Sequence, residues 1–185
     1  IVLDQELFLY DIEASIAHAH ELQSINILNG AETKKIISCL KKLARLFKAN
    51  KFKLTSKYED CHSAIEYYLT KELGPLGQKI HTGRSRNDQV MVAMRLYARA
   101  QLDQIQSINL KVAQSFLSKA DKHASDPMPG YTHLQRAMPS TWGLWFGAFA
   151  ESFIDNADLL LNVQSWMNIN PLGTAAGYGV NLPLS

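Results

Sequence analysis

The chain has 185 residues, enough for one good-sized domain or for a small domain and part of a larger one. Hydrophobic residues make up 46% and charged residues 19%, the balance of an ordinary globular protein. A net charge of +2 excludes a dedicated nucleic-acid binder, which needs a strong basic stripe, and no block of like charge forms an interaction tail.

The elements read as helices with almost no strand signal, so the expected class is all-α. Leu3 to Gln23 carries Phe8, Ile12, Ile16 and Ala19 at helical spacing. After an Asn29-Gly30 turn, Glu32 to Lys48 repeats the pattern with Ile36, Leu40, Leu43 and Phe47. Tyr58 to Leu73 forms a third helix, with Glu59 and Asp60 in its first turn, where the helix dipole favours acid, and Gly74-Pro75 stopping it. A loop, Pro75 to Asn87, leads into a long helix from Asp88 to Ala124. Its stripe is Val90, Met94, Tyr97, Ile105, Ile108, Val112 and Phe116. It is roughly 55 Å long at about 1.5 Å per residue, so it belongs to a large bundle or crosses a subunit interface.

Ser125 to Ser140 is expected to be a loop, because Pro127, Pro129, Pro139 and Gly130 forbid a continuous helix. A helix follows, with Ser140 as its N-cap and Trp142, Phe146, Phe149, Phe153, Ala157, Leu160 and Val163 as its core stripe. "NINPLGTAAGYGVNLP", from Asn168, breaks the pattern with Pro171, Gly173, Gly177 and Gly179. A boundary between Pro75 and Asn87 divides a small N-terminal helical region, residues 1–80, from the first part of a central long-helix bundle, residues 81–185.

"HTGRSRNDQV", His81 to Val90, gathers hydrogen-bond donors where the long helix begins. A helix N-terminus leaves backbone N–H groups unpaired and favours an anion. Arg84 and Arg86 add planar cations suited to carboxylate or phosphate, and Thr82, Ser85 and Asn87 add neutral donors. A helix capped by Ser85 or Asn87 with two solvated arginines would explain less of this crowding than an anion site does. "GYTHLQ" places Thr132 and His133 in a loop. Histidine exchanges a proton near neutral pH, but this segment alone reads better as a His that stiffens the loop by bonding a backbone carbonyl.

"EDCH", Glu59 to His62, puts its four side chains in different directions on one turn, so a structural helix start explains it better than a metal site. The loop "PLGTAAGYG" lacks the spacing of a nucleotide-binding glycine motif and reads as a bend between helices, one that could let backbone approach a ligand. His18, His20, His81 and His123 show no metal-ligand spacing with one another. Cys39 and Cys61, the two cysteines, form no CxxC pair and point to a reducing, cytoplasmic compartment. The opening "IVLDQELFLYD" is too acidic for a targeting peptide, and the longest apolar run, Trp142 to Ala150, is shorter than the about 20 residues that span a bilayer. Ile1 and the closing "VNLPLS" are what cuts in a longer protein would leave.

Five segments, "SIAHAHEL", "EDCHSAIE", "KIHTGRSRNDQV", "PGYTHLQRAMPS" and "NPLGTAAGYG", resemble the argininosuccinate lyase family of the fumarase/aspartase superfamily, in order and spacing. "GRSRNDQV" is the specific part, and "GYTHLQ" is shared more widely. The resemblance implies an all-α, fumarase/aspartase-like fold, a homotetramer with active sites shared between subunits, and cleavage of argininosuccinate to arginine and fumarate. It implies no metal and no organic cofactor, and no nucleic-acid or membrane partner.

By the same resemblance Ser85, Arg86, Asn87 and Thr132 hold the substrate carboxylates and His133 takes part in proton transfer, with Arg84 more structural. The family's mobile Gly-Ser-Ser loop, followed by Met-Pro and Lys-Asn, is not among these residues, nor is its N-terminal Asn-(Ala/Ser)-Ser segment. Met138 stands where the family often has Gln, and "GTAAGYG" replaces a more usual Gly-Ser-Gly-Ala run. The chain alone is therefore expected to be inactive and to associate through exposed apolar faces. Two alternatives are a sister enzyme such as adenylosuccinate lyase and a non-catalytic, crystallin-like helical scaffold.

Overall fold

A computed structural model describes residues 3–184. Contacts group the chain into two compact units, Ile1–Ala98 with Ile169–Ser185, and Arg99–Asn168. Helices dominate, as expected, and the described residues also contain one two-stranded hairpin.

The first unit holds α1 (Asp4–Ser24), α2 (Gly30–Lys48), α3 (Cys61–Leu73), the short α4 (Pro75–Gln78), a 3₁₀ turn (Lys79–His81) and the beginning of α5 (Arg86–Lys122). α2 starts two residues earlier than its apolar period suggests, because Asn29 caps it. The Asn29 side chain accepts from the N–H of Ala31 at 3.0 Å and of Glu32 at 2.9 Å, while Glu32 accepts from the Asn29 N–H at 2.9 Å. α3 starts three residues later than expected: Asp60 is its N-cap, not a first-turn residue. Asp60 Oδ1 accepts from Ser63 N–H at 2.6 Å and Ser63 Oγ accepts from Asp60 N–H at 3.0 Å.

The expected loop from Pro75 contains α4 and the 3₁₀ turn. α4 lies so close on α3 that a Cβ at Gly77 would stand 2.4 Å from the Leu69 carbonyl carbon, a place only glycine can fill. Phe8, Leu22, Ile36, Leu40, Leu43, Ile65 and Leu69 are buried between the first three helices, each contributing about 1.5–3 kcal/mol by leaving water. The Phe8 ring sits 4.4 Å from Phe47 and 5.6 Å from Phe52.

The second unit pairs the remainder of α5 with α6 (Trp142–Met167) through the hairpin β1 (Pro127–Thr132) and β2 (Gln135–Thr141). The helices run antiparallel. Phe116 stacks 5.4 Å from Phe149 and 5.7 Å from Phe153, Gln164 Nε2 donates to Asp103 Oδ1 at 2.5 Å, and Arg99 Nη1 donates to Asn168 Oδ1 at 2.9 Å. The buried residues of α6 are Gly143, Ala150 and Ala157, seven apart, a narrow seam of small side chains. Of the expected α6 stripe only Ala157 is fully buried, and Ile105 and Ile108 of the expected α5 stripe are exposed. One neighbouring helix covers only a seam, so the larger side chains beside it stay half-buried or in solvent.

Ser125 to Ser140 is a hairpin rather than a loop. Prolines bar a helix there, but a two-stranded ribbon tolerates them because each strand has a free edge. His133 and Leu134, with φ of 50° and 63°, make the tight turn, whose positive-φ twist matches that of the flanking strands. Thr132 pairs with Gln135 and Tyr131 with Arg136, and the register shifts at Gly130. The α6 cap is Thr141, not Ser140: Thr141 Oγ1 accepts from the Leu144 N–H at 3.1 Å.

Candidate functional site

α1 carries a polar seam within its buried face. Asp11, Ser15 and His18 follow helical spacing and are each 1% exposed. Each meets a residue from another part of the first unit. His18 Nε2 donates to the carbonyl oxygen of Thr82 at 2.8 Å. Burial, and then the Arg84 charge, lower the His18 pKa to about 4, so the ring is neutral and the bond to a carbonyl places its hydrogen on Nε2. Arg84 Nη1 donates to Ser15 Oγ at 3.0 Å. Asp11 Oδ2 lies 2.8 Å from Nδ1 of the buried His62, outside hydrogen-bonding angles. Arg84 is thus turned inward, and the donor-rich loop is seated on α1 by Thr82 and Arg84.

α3 grips the same loop from another side. Arg86 meets Glu66 fork to fork, Nη1 to Oε1 at 2.9 Å and Nη2 to Oε2 at 3.1 Å. Arg86 Nη1 also donates to Gln89 Oε1 at 3.1 Å, and its Nε lies 3.4 Å from Asp60 Oδ2. Glu66 further meets His81 Nδ1 at 2.6 Å. Burial alone would push the Glu66 carboxyl up, but Arg86 and His81 outweigh it and hold the group below the usual carboxylate range. A guanidinium has five N–H groups, and these contacts leave one Nη2–H of Arg86 uncommitted among the described residues.

Ser85 caps α5. Its Oγ accepts from Asn87 N–H at 3.3 Å, and Asp88 Oδ1 accepts from Ser85 N–H at 2.9 Å. Asn87 is exposed on the first turn and Ser85 is half-buried beside it. Ser85, Arg86 and Asn87 therefore share the beginning of α5 in the first unit. Thr132 and His133 lie in the second unit, where Thr132 ends β1 and His133 opens the exposed hairpin turn.

Asp11, Cys61 and His62 bring three ligand-type atoms within 4.8 Å of one another. Burial, then the Asp11 charge, push the Cys61 thiol well up, and Arg84 adds a cation beside Asp11. No described helix is long and apolar enough to cross a membrane.

The sequence reading missed Asp11, Ser15, Glu66 and Asp88 as parts of this assembly. The first two shared the helical period of His18 within "DIEASIAH" and were findable from it. Glu66 left no such mark.

A family model described as lyase matches residues 2–184. The chain belongs to this lyase family. Argininosuccinate lyase of Stenotrophomonas maltophilia is 50% identical over 184 residues, covering 100% of this chain and 43% of that protein. Argininosuccinate lyase of Xylella fastidiosa is 51% identical, again over the whole chain and 41% of that protein. The chain thus spans less than half the length of these curated relatives, and the resemblance carried by its five segments is matched by proteins of that name. Among solved structures, an EDDS lyase variant with bound fumarate superposes with a TM-score of 0.87 at 28% identity, over 99% of this chain and 36% of that one. A structure described as fumarate lyase:delta crystallin from Brucella melitensis, 22% identical with a TM-score of 0.80 over 97% of this chain and 44% of that one, shares the fold.

Proposed function

We propose that the full-length protein carrying this chain is an argininosuccinate lyase, which eliminates fumarate from argininosuccinate and releases L-arginine in the last step of arginine biosynthesis. The observation that carries this reading is the 50–51% identity, across the whole chain, to proteins of that name. The donor-rich beginning of α5 supports it, because a substrate with a succinate half needs donors to its carboxylates.

In this elimination a base removes the proton beside a carboxylate, and charge builds on that group. The electron pair then forms the double bond as the carbon–nitrogen bond breaks, and a proton reaches the departing guanidino nitrogen. Donors fixed before the reaction stabilise the developing charge. We assign carboxylate binding to Ser85, Arg86, Asn87 and Thr132, and proton transfer to His133. For Arg86 the uncommitted Nη2–H is the group available to substrate, while Glu66 fixes the plane of the guanidinium. The reaction is redox-neutral and its proton steps use side chains, so no organic cofactor or metal enters the proposal.

The same reading makes the protein a cytoplasmic homotetramer whose sites are shared between subunits, without nucleic-acid or membrane partners. Residues 1–80 form its N-terminal helical region and 81–185 the first part of its central bundle. Exposed Ile105, Ile108 and Leu159 on α5 and α6 support assembly. Full-length protein given argininosuccinate or adenylosuccinate in separate assays tests the activity. Fumarate is expected from the first substrate only. Fumarate from the second alone would make it a sister lyase, and none from either, with a folded tetramer, would make it a scaffold.

A further inference from the structure

The glycine-rich segment from Pro171 to Gly179 has no role in the site as described so far, yet it is built around a residue of the donor loop. Asp88 is 1% exposed. Its Oδ1 accepts the Ser85 N–H at 2.9 Å, while its Oδ2 accepts the Gly173 N–H at 3.1 Å and the Ala175 N–H at 2.8 Å. Gly173 and Ala175 have φ of 97° and 49°. A left-handed conformation at Ala175 is uncommon, and here two such residues turn their amides toward one carboxylate, as in backbone anion nests. A second contact joins the same parts. Gly83 has φ of 74°, and a Cβ there would meet Leu182 and Leu184 side chains at 3.2 Å, so the chain beyond the glycine-rich segment closes on the donor loop. Both contacts lie within the first unit.

We propose that Asp88 is a positioning residue, tying the start of α5, with its Ser85 and Asn87 donors, to the segment 171–179 so that the two move as one binding surface. This rests on the lyase reading, in which those donors hold carboxylates. Asp88 itself touches no substrate. It accepts three backbone N–H groups, and charge-assisted bonds of this kind are the strong ones. Losing the charge leaves the α5 cap and the segment each able to shift, and the binding of carboxylates suffers first.

The test uses full-length protein and Asp88→Asn. The variant is expected to show an about tenfold higher KM for argininosuccinate with kcat changed by less than about threefold, because donors are displaced rather than lost. Amide hydrogen exchange over residues 171–178 should quicken in the variant. In the unmutated enzyme, adding fumarate should slow exchange over 83–90 and over 171–178 together, a readout that needs no variant to fold. Unchanged KM in a folded Asp88→Asn enzyme, or fumarate protection confined to 83–90, would overturn the inference. An unmutated enzyme that makes no fumarate from argininosuccinate would instead sink the lyase reading beneath it.

Discussion

His18 donates from Nε2 to the Thr82 carbonyl across 2.8 Å, a bond that joins the middle of α1 to the loop preceding α5. The bond by itself favours a protonated ring, but burial, then Arg84, outweigh it and keep the ring neutral by lowering its pKa from 6.5 to about 4. In the unfolded chain the ring titrates at its ordinary value. Between about pH 6.5 and pH 4 the unfolded state binds a proton that the folded state refuses, so stability falls as pH falls through this window. Above it His18 adds no pH dependence. The full drop is on the order of 3 kcal/mol at the acid end. Melting temperatures of full-length protein across this range should fall more steeply than those of His18→Gln. Parallel curves would mean that the ring is not held neutral.

The seam between α5 and α6 depends on the absence of a side chain. A Cβ at Gly143 would stand 2.5 Å from Ala124 Cα and 2.6 Å from the Ala120 carbonyl oxygen, both backbone atoms. Gly143→Ala should therefore destabilise the protein by about 1–3 kcal/mol, despite the better helix propensity of alanine. Urea denaturation checks it, and a variant as stable as its parent would show that the helices separate without cost.

Much of the fold was legible because helices write their period into the sequence. α1 and α2 appeared from apolar spacing, and α3 from its acidic start and its Gly74-Pro75 stop. Helix starts were less legible. Asn29, Asp60 and Thr141 act through side-chain bonds to particular N–H groups, and several neighbouring polar residues could have done the same. The hairpin at Pro127 was hidden because prolines signal only what cannot form, and its turn uses His133 and Leu134 rather than an Asn-Gly pair. At the candidate site, the donors at the beginning of α5 were legible by their density. Their supports were not: Glu66 and Asp88 are ordinary acidic residues until the chain brings Arg86 and the Gly173 amide against them.

The apolar face of the long helices also predicts behaviour. Ile105 is 51% exposed, Ile108 61%, Leu159 60% and Trp166 77%. The 185-residue chain expressed by itself should associate or aggregate, and the double substitution Ile108→Lys with Leu159→Lys should reduce this. Light scattering reads the outcome. A clean monomer from the unmodified chain would count against an interface on this face.

Fumarate release from argininosuccinate by the full-length protein, beside Asn87→Ala and His133→Ala, tests the central claim most directly. Loss of one donor to a developing charge, or of a proton-transfer group, costs about 10²–10⁴-fold in rate. Both folded variants are expected to lose at least about a hundredfold in kcat/KM relative to an active parent. Near-normal turnover in both would contradict the assignment of the α5 start and the hairpin turn to the site.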